Sequence, residues 1–219
     1  QIANISHDLR TPLTSILGYL QLLEGEGLSE AERREYLEIV RRRAKALQSL
    51  ITGFYDLSRL EGGEYPLNIQ GVDLRASLSG LLAAFYDEFT GRGFEMEVDL
   101  QEGLPPVSAD PGAALRIFTN LIRNALEHGC ERMQVRLFEE EGRVVSLFAN
   151  RTGELRQEDM PHIFDRFFTR DKMRTGNNTG LGLAIVHALA GQMGCTLSAR
   201  LEGDWFSLRL AWPRYEGLT

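Results

Sequence analysis

A helical hairpin followed by an α/β sandwich is the fold class that this 219-residue sequence predicts, and three observations carry it. Apolar residues recur at helical spacing in two runs, separated by Gly25 and Gly27. The helical pattern breaks at Gly62-Gly63. Beyond that point short alternating stretches interleave with helical ones, which describes a sheet covered by helices. The boundary therefore falls there, with residues 1–62 forming one domain and 63–219 the other.

In the first run Ile2, Leu9, Leu13, Ile16, Leu20 and Leu23 follow spacings of seven, four, three, four and three. This is a heptad seam, interrupted near His7 where Ser6 replaces an apolar residue. Gly25 and Gly27 stop the helix, and Ser29 with Glu32 three residues on forms a capping box that starts the next. Leu37, Val40, Ala44, Leu47, Ile51 and Phe54 carry the second seam, extended by Leu57 and Leu60. The charged run from Glu30 to Lys45 is its solvated face. A two-helix hairpin has little core, so its seams are best buried by a second copy in a dimeric four-helix bundle. Packed alone, the same seams would lie on the second domain.

Further on, a helix covers Leu74 to Phe89, and Phe94-Glu95-Met96-Glu97-Val98 alternates as a half-exposed strand. Asp110-Pro111 reads as an N-cap followed by proline at the first helical position, opening a helix that runs to about Glu127. Strands follow at Met133–Phe138 and Val144–Ala149, then a short helix near Glu158–Phe164. A helix after Gly180 and strands near Thr196–Leu201 and Phe206–Ala211 complete the domain.

The net charge of −7 and pI near 5.2 argue against nucleic acid as a partner. Residues 1–62 carry 8 Lys/Arg and 9 Asp/Glu, a net of −1, and the remainder carries 16 and 22, a net of −6. Cys130 and Cys195 lack metal-ligand spacing and read as reduced thiols of a cytosolic protein. No run of 18 apolar residues and no signal peptide is present.

The most informative segment is Ser6-His7-Asp8-Leu9-Arg10-Thr11-Pro12-Leu13-Thr14. On a helix His7 and Thr11 share a face, and Asp8 sits about 100° round from His7. An imidazole beside a carboxylate is a nucleophile that can be held neutral through one ring nitrogen while the other attacks. A merely solvated surface histidine fits the same local pattern. Pro12 removes an i→i−4 hydrogen bond and bends or weakens the helix there.

A second constellation lies in Asn120-Leu121-Ile122-Arg123-Asn124-Ala125, where two amides at i and i+4 share a face, with Arg116 one turn earlier. An amide oxygen can complete a Mg²⁺ shell dominated by phosphates; two polar residues facing solvent is the plainer alternative. Phe164, Phe167 and Phe168 form a hydrophobic anchor for the loop from Thr169 to Thr179, which carries Arg170, Lys172 and Arg174. Such a loop suits a basic lid over phosphates or an ordinary solvated surface loop. Thr179-Gly180-Leu181-Gly182 then opens a helix, where glycines permit close backbone approach and the N-terminal amides can receive phosphate oxygens.

Taken together, these segments resemble the core of sensor histidine kinases, in order and spacing, over essentially the whole chain. The resemblance implies that His7 takes the γ-phosphoryl group of ATP and passes it to an aspartate on a response-regulator receiver domain. It implies that Asp8 orients or deprotonates the imidazole, and that Thr11 positions water when a kinase dephosphorylates its regulator. The amide segment resembles the N box, so Asn124 corresponds to the Mg²⁺ ligand and Asn120 to its partner. Related ATPases carry a glutamate where Asn120 stands; an asparagine cannot take a proton, which favours transfer to His7 over hydrolysis. The phenylalanines resemble the F box and the Gly180-Leu181-Gly182 segment the G2 box, with Asn178 in place of a frequent glycine. A homodimer is implied as well. The chain resembles an excised cytoplasmic core whose sensory or membrane-anchored portion lies upstream.

Three departures stand out. Glu127 occupies a position that is commonly Lys, and His128 an aromatic one, from which His128 could stack on a base or reach a phosphate. At the adenine pocket Asn150 aligns with an aspartate, Thr152 and Glu154 with two glycines, and only Gly153 remains nearby. An asparagine accepts through its carbonyl oxygen. Losing the charge predicts ATP affinity reduced by roughly tenfold, since charged acceptors contribute about 1.5–3 kcal/mol against about 1 for neutral ones. These departures keep open a degenerate kinase acting mainly as a phosphatase or nucleotide-gated scaffold. An ATPase or ATP-driven clamp of the same fold is the rival from another class.

Overall fold

The computed structural model describes residues 2–153, 155–169 and 179–217, with side chains in the first helix from residue 9 onward. Helix α1 (Ile2–Glu24) runs on through Pro12, and α2 (Glu30–Glu61) returns beside it. The turn is set by the anticipated capping box. Glu32 N donates to Ser29 Oγ at 3.3 Å while Ser29 N donates to the Glu32 carboxylate at 2.9 Å. Tyr19 and Tyr36 meet across the hairpin with ring centroids 5.4 Å apart. Gly62 caps α2, and Gly63 follows at φ +70°, a conformation that glycine adopts without strain.

After the hairpin come β1 (Gln70–Val72), α3 (Leu74–Gly91), β2 (Glu95–Leu100), β3 (Val107–Ala109) and α4 (Pro111–His128). Then follow β4 (Cys130–Glu140), β5 (Arg143–Arg151), a 3₁₀ turn (Gln157–His162), α5 (Gly182–Gln192), β6 (Thr196–Glu202) and β7 (Trp205–Trp212). Five strands form one sheet in the order β2-β4-β5-β7-β6; β2 pairs parallel to β4 and the other neighbours pair antiparallel. Helices α3, α4 and α5 pack against this sheet, so the anticipated α/β sandwich is the observed fold.

At the centre Phe118 of α4 packs on Phe148 of β5 and edge-on to Trp212 of β7, each pair with centroids 5.6 Å apart. The buried Trp212 Nε1 donates to the buried Ser146 Oγ at 2.9 Å, so neither polar group is left without a partner. Asp110 N-caps α4 as anticipated, accepting from Ala113 N at 2.8 Å, with Pro111 in the first turn.

Two elements differ from expectation. Strands β1 and β3 pair antiparallel as a separate two-stranded sheet; at three residues each they carry no readable alternation. The short helix near Glu158–Phe164 is a 3₁₀ turn over Gln157–His162, because Pro161 has no N–H to continue an α-helical ladder. Cys130 and Cys195 are free, and burial pushes the Cys195 thiol up to about 12.

The hairpin seams divide. Toward the end of α2, Leu50, Leu57 and Leu60 are buried, the last two joining the core of the second domain. Leu13, Leu17, Leu20 and Leu37 are between 39% and 53% exposed within one chain, which leaves the outer half of the hairpin uncovered. Polar contacts reinforce the inner half. Arg116 of α4 pairs with Asp56 at 2.6 Å, Gln192 Nε2 donates to Leu60 O at 2.5 Å, and Arg166 pairs with Glu61.

Candidate functional site

The amphipathic α4 buries Ile117, Phe118, Leu121, Ile122 and Ala125 and turns Arg116, Asn120, Arg123, Asn124 and Glu127 to another side. These five line a cavity of about 500 Å³. Its far wall is the segment Thr179–Leu183 at the start of α5, and its inner end is closed by Asn150, Thr152, Leu155, Ile163 and Phe206. The side toward the hairpin is walled by Gln48, Ser49, Thr52 and Gly53 of α2.

Each glycine at the α5 end has a steric reason. Gly180 has φ +64°, and a Cβ there would lie 2.7 Å from the Phe167 carbonyl carbon. Phe167 is itself at φ +63°, and its N–H donates to Gly180 O at 2.9 Å. Phe167 is thereby clamped to the start of α5. A Cβ on Gly182 would come within 3.3 Å of Asn120 Oδ1, so this glycine lets α5 approach the amide row closely. The N-cap of α5 is Leu181, whose side chain makes no cap hydrogen bond to the first amides of the helix.

The amides are differently employed. Asn120 Nδ2 donates back to Arg116 O at 2.9 Å, which fixes its orientation. Asn124 is half-buried on the cavity wall one turn further on. Among the described residues no group of three or more His, Cys, Asp or Glu converges on one point. Asn124 presents an amide oxygen at the cavity wall, the kind of donor that a hard cation accepts beside phosphate oxygens and water. Arg116 reaches the cavity but is held by Asp56.

Glu127 sits on the same wall, and its carboxyl is pushed above the usual range by desolvation. His128, Arg123 and Arg92 oppose that rise, while Glu88 adds to it. His128 also lines the cavity, half-buried.

Asn150 is 6% exposed near the end of β5 and its Nδ2 donates to Arg151 O at 3.0 Å. Thr152 is likewise buried, and its N–H donates to Asp204 O at 2.7 Å. Of the site residues expected from sequence, Asn120, Asn124, His128, Asn150, Thr179, Gly180, Leu181 and Gly182 thus surround one cavity. Gly153 does not line it; its backbone is exposed one residue beyond Thr152. Arg170, Lys172, Arg174, Asn178 and Glu154 lie outside the described residues, as do the side chains of His7 and Asp8. His7 and Asp8 fall within α1, and Thr11 is exposed one turn further along it.

Sequence reasoning missed the α2 wall. One signal was available: Gly53 interrupts an otherwise strong helix former, at a cost of about 1 kcal/mol relative to Ala. The structure supplies the reason, because a Cβ on Gly53 would sit 3.1 Å from Leu181 Cδ1.

A helical hairpin carrying a histidine, joined to an α/β sandwich whose amide-lined cavity opens beside a glycine-flanked helix start, defines a phospho-acceptor domain coupled to an ATPase-type domain. Residues 1–63 match the His Kinase A (phospho-acceptor) domain, and residues 109–214 match the histidine kinase-, DNA gyrase B- and HSP90-like ATPase family. The chain belongs to the sensor histidine kinases of two-component systems and contains their kinase core. It is 32% identical to the sensor protein VanSC of Enterococcus gallinarum over 219 residues, covering 97% of this chain and 60% of that protein. The chain spans about three fifths of the length of the first curated relatives it matches. The fold is shared with histidine kinase AdeS of Acinetobacter baumannii, at TM-score 0.76, 24% identity and coverage of 95% and 98% of the two chains. It is shared too with histidine kinase ThkA, crystallised with the response regulator TrrA, at TM-score 0.79, 16% identity and coverage of 98% and 61%. No described helix is long and apolar enough to cross a membrane.

Proposed function

We propose that this chain catalyses ATP-dependent phosphorylation of its own His7 and passes the phosphoryl group to an aspartate of a response-regulator receiver domain. The supporting observation is the gathering of Asn120, Asn124 and Gly180-Leu181-Gly182 around one cavity that α2 of the hairpin closes. Asn124 would contribute an oxygen to Mg²⁺, which would neutralise phosphate charge, and the backbone amides at the start of α5 would receive phosphate oxygens. Arg170, Lys172 and Arg174 supply further cations from the loop between Thr169 and Thr179. In the transfer, the bond from the γ-phosphorus to its bridging oxygen breaks as a bond to an imidazole nitrogen forms. ADP leaves, and Asp8 accepts or orients the proton on the other ring nitrogen. Asn120 has no basic lone pair with which to activate water, which supports transfer over hydrolysis.

Residues 1–62 act as the acceptor domain and 63–219 as the donor domain. The acceptor domain pairs with a second copy: Leu13, Leu17, Leu20 and Leu37 on the uncovered half of the hairpin are the surface a four-helix bundle would bury. Thr11, one turn from His7, positions water when the regulator is dephosphorylated. The core is a cytoplasmic portion of a longer sensor that is anchored in a membrane.

Incubating the protein with Mg²⁺ and γ-labelled ATP tests this reading. Acid-labile, base-stable label is expected on the intact chain and absent from His7→Gln. Label that persists in His7→Gln would refute the assigned acceptor. Label on the intact chain that does not move to an added cognate receiver domain would refute the transfer step.

A further inference from the structure

We infer that Gln48 and Thr52 of the hairpin helix α2 are phosphate-binding residues of the cavity, so that a nucleotide held there touches both domains. This inference rests on the cavity being a nucleotide site, and adds to that reading two contacts from outside the ATPase-type domain.

The composition of α2 changes where it meets the cavity. Charged residues crowd its surface from Glu30 to Lys45 and return at Asp56. Residues 46–54 carry none, and their three polar side chains, Gln48, Ser49 and Thr52, all line the cavity. A helix face that meets only water is ordinarily charged, as the preceding turns of this helix are.

Two rows of side chains leave from one ion pair. Arg116 of α4 and Asp56 of α2 meet at 2.6 Å. Steps of four residues along α4 lead from Arg116 to Asn120 and Asn124; the same steps back along α2 lead from Asp56 to Thr52 and Gln48. Both rows line the cavity. Each step advances about 6 Å along its helix axis, so the rows keep pace with one another. Gly53, beside Thr52, lets α2 sit close, since a Cβ there would lie 3.1 Å from Leu181 Cδ1. A polyphosphate bound at Asn120 and Asn124 therefore lies between the two rows.

The donors on α2 are uncommitted. Thr90 and Thr119 each turn the hydroxyl onto the carbonyl one turn back, at 2.8 Å. Thr52 makes no such bond, and neither Gln48 nor Ser49 makes a side-chain hydrogen bond among the described residues. Arg116, the cation of the facing row, is engaged by Asp56. A hydroxyl O–H and an amide N–H can each donate to a phosphate oxygen, a bond strengthened by the charge on the acceptor. Phosphate oxygens held in this way tie α2 to the ATPase-type domain through the ligand itself.

Calorimetric titration of the full chain with ATP and Mg²⁺, with adenosine measured by displacement of ATP, tests the inference. Thr52→Val keeps the shape and removes the donor, and is expected to weaken ATP binding about fivefold. Gln48→Leu is expected to act similarly, and the double variant to lose more than either. Thr52→Ser retains a hydroxyl and is expected to retain the affinity. Adenosine, which has no phosphate, is expected to bind all variants alike. Unchanged ATP affinity in the double variant would overturn the inference while leaving the nucleotide site intact. Equal losses for ATP and adenosine would also overturn it, by moving the contact away from the phosphates. Binding of neither ligand to the unmodified protein would overturn the nucleotide reading itself, and this inference with it. Should the double variant not fold, Thr52→Val against Thr52→Ser still decides the matter.

Discussion

The two ends of the cavity follow different rules. At the end proposed for phosphates the chain gathers Asn124, the glycine pair at 180 and 182, and the start of α5. At the base end it substitutes neutral groups, with Asn150 and Thr152 both buried. Phosphate binding relies on ion pairing and backbone approach, so it tolerates few residue types. Base recognition relies on the placement of one hydrogen-bonding atom, which several residue types can supply if their neighbours fix them. Glu127 adds an acidic group to the wall of this site, which is proposed for an anionic ligand.

The comparison is broken most sharply by Asn124→Ala. Removing the proposed metal ligand is expected to lower phosphorylation of His7 by about 100-fold, the scale of losing one electrostatic contact at a transferring phosphoryl group. Rates of labelling at fixed Mg²⁺ measure it, and a loss below about tenfold would remove Asn124 from the metal site. Gly180→Ala attacks the same end through the backbone. The variant combines a φ of +64° with a contact at 2.7 Å, so a destabilisation of roughly 2–3 kcal/mol is expected. For a chain of this size that lowers Tm by about 4–12 °C, read by a thermal melt.

Glu127 sharpens the comparison with a smaller effect of opposite sign. Glu127→Lys exchanges a repulsion for an attraction and is expected to tighten ATP binding by roughly tenfold. The carboxyl is held above the usual range by desolvation, against the pull of His128, Arg123 and Arg92 and with the push of Glu88. It is therefore protonated at a higher pH than an ordinary glutamate, and protonation removes charge facing the phosphates. ATP affinity should rise as pH falls through that elevated value, and Glu127→Gln should flatten the rise. An unchanged pH dependence in Glu127→Gln would show that another group titrates.

Much of this architecture was legible in the sequence because it depends on local rules. The Ser29–Glu32 capping box and the Asp110-Pro111 start of α4 are fixed by residues within a few positions of each other. The pairing of Asn120 with Asn124 on one face needs only the helical period. What escaped depends on long-range packing. Strands β1 and β3 are too short for periodicity, and they exist because the chain entering α3 meets the chain entering α4. The α2 wall could not be read from its own residues, since Gln48, Ser49 and Thr52 look like any solvated helix face. The orientation of Asn150 required Arg151 O and Gly129, the latter 21 positions away in the chain.

The close fit of Gly53 against Leu181 also makes the hairpin a detent. Residues on a helix are spaced by 100°, so turning α2 by one position takes the bare backbone out of the slot and offers Thr52 or Phe54 instead. Either would press on Leu181, since even a methyl group would lie only 3.1 Å from Leu181 Cδ1 and that side chain would have to give. Turning the helix would therefore press the cavity wall against the segment that carries Gly180 and Gly182. A twist applied far along the hairpin would be felt at the cavity through this one contact.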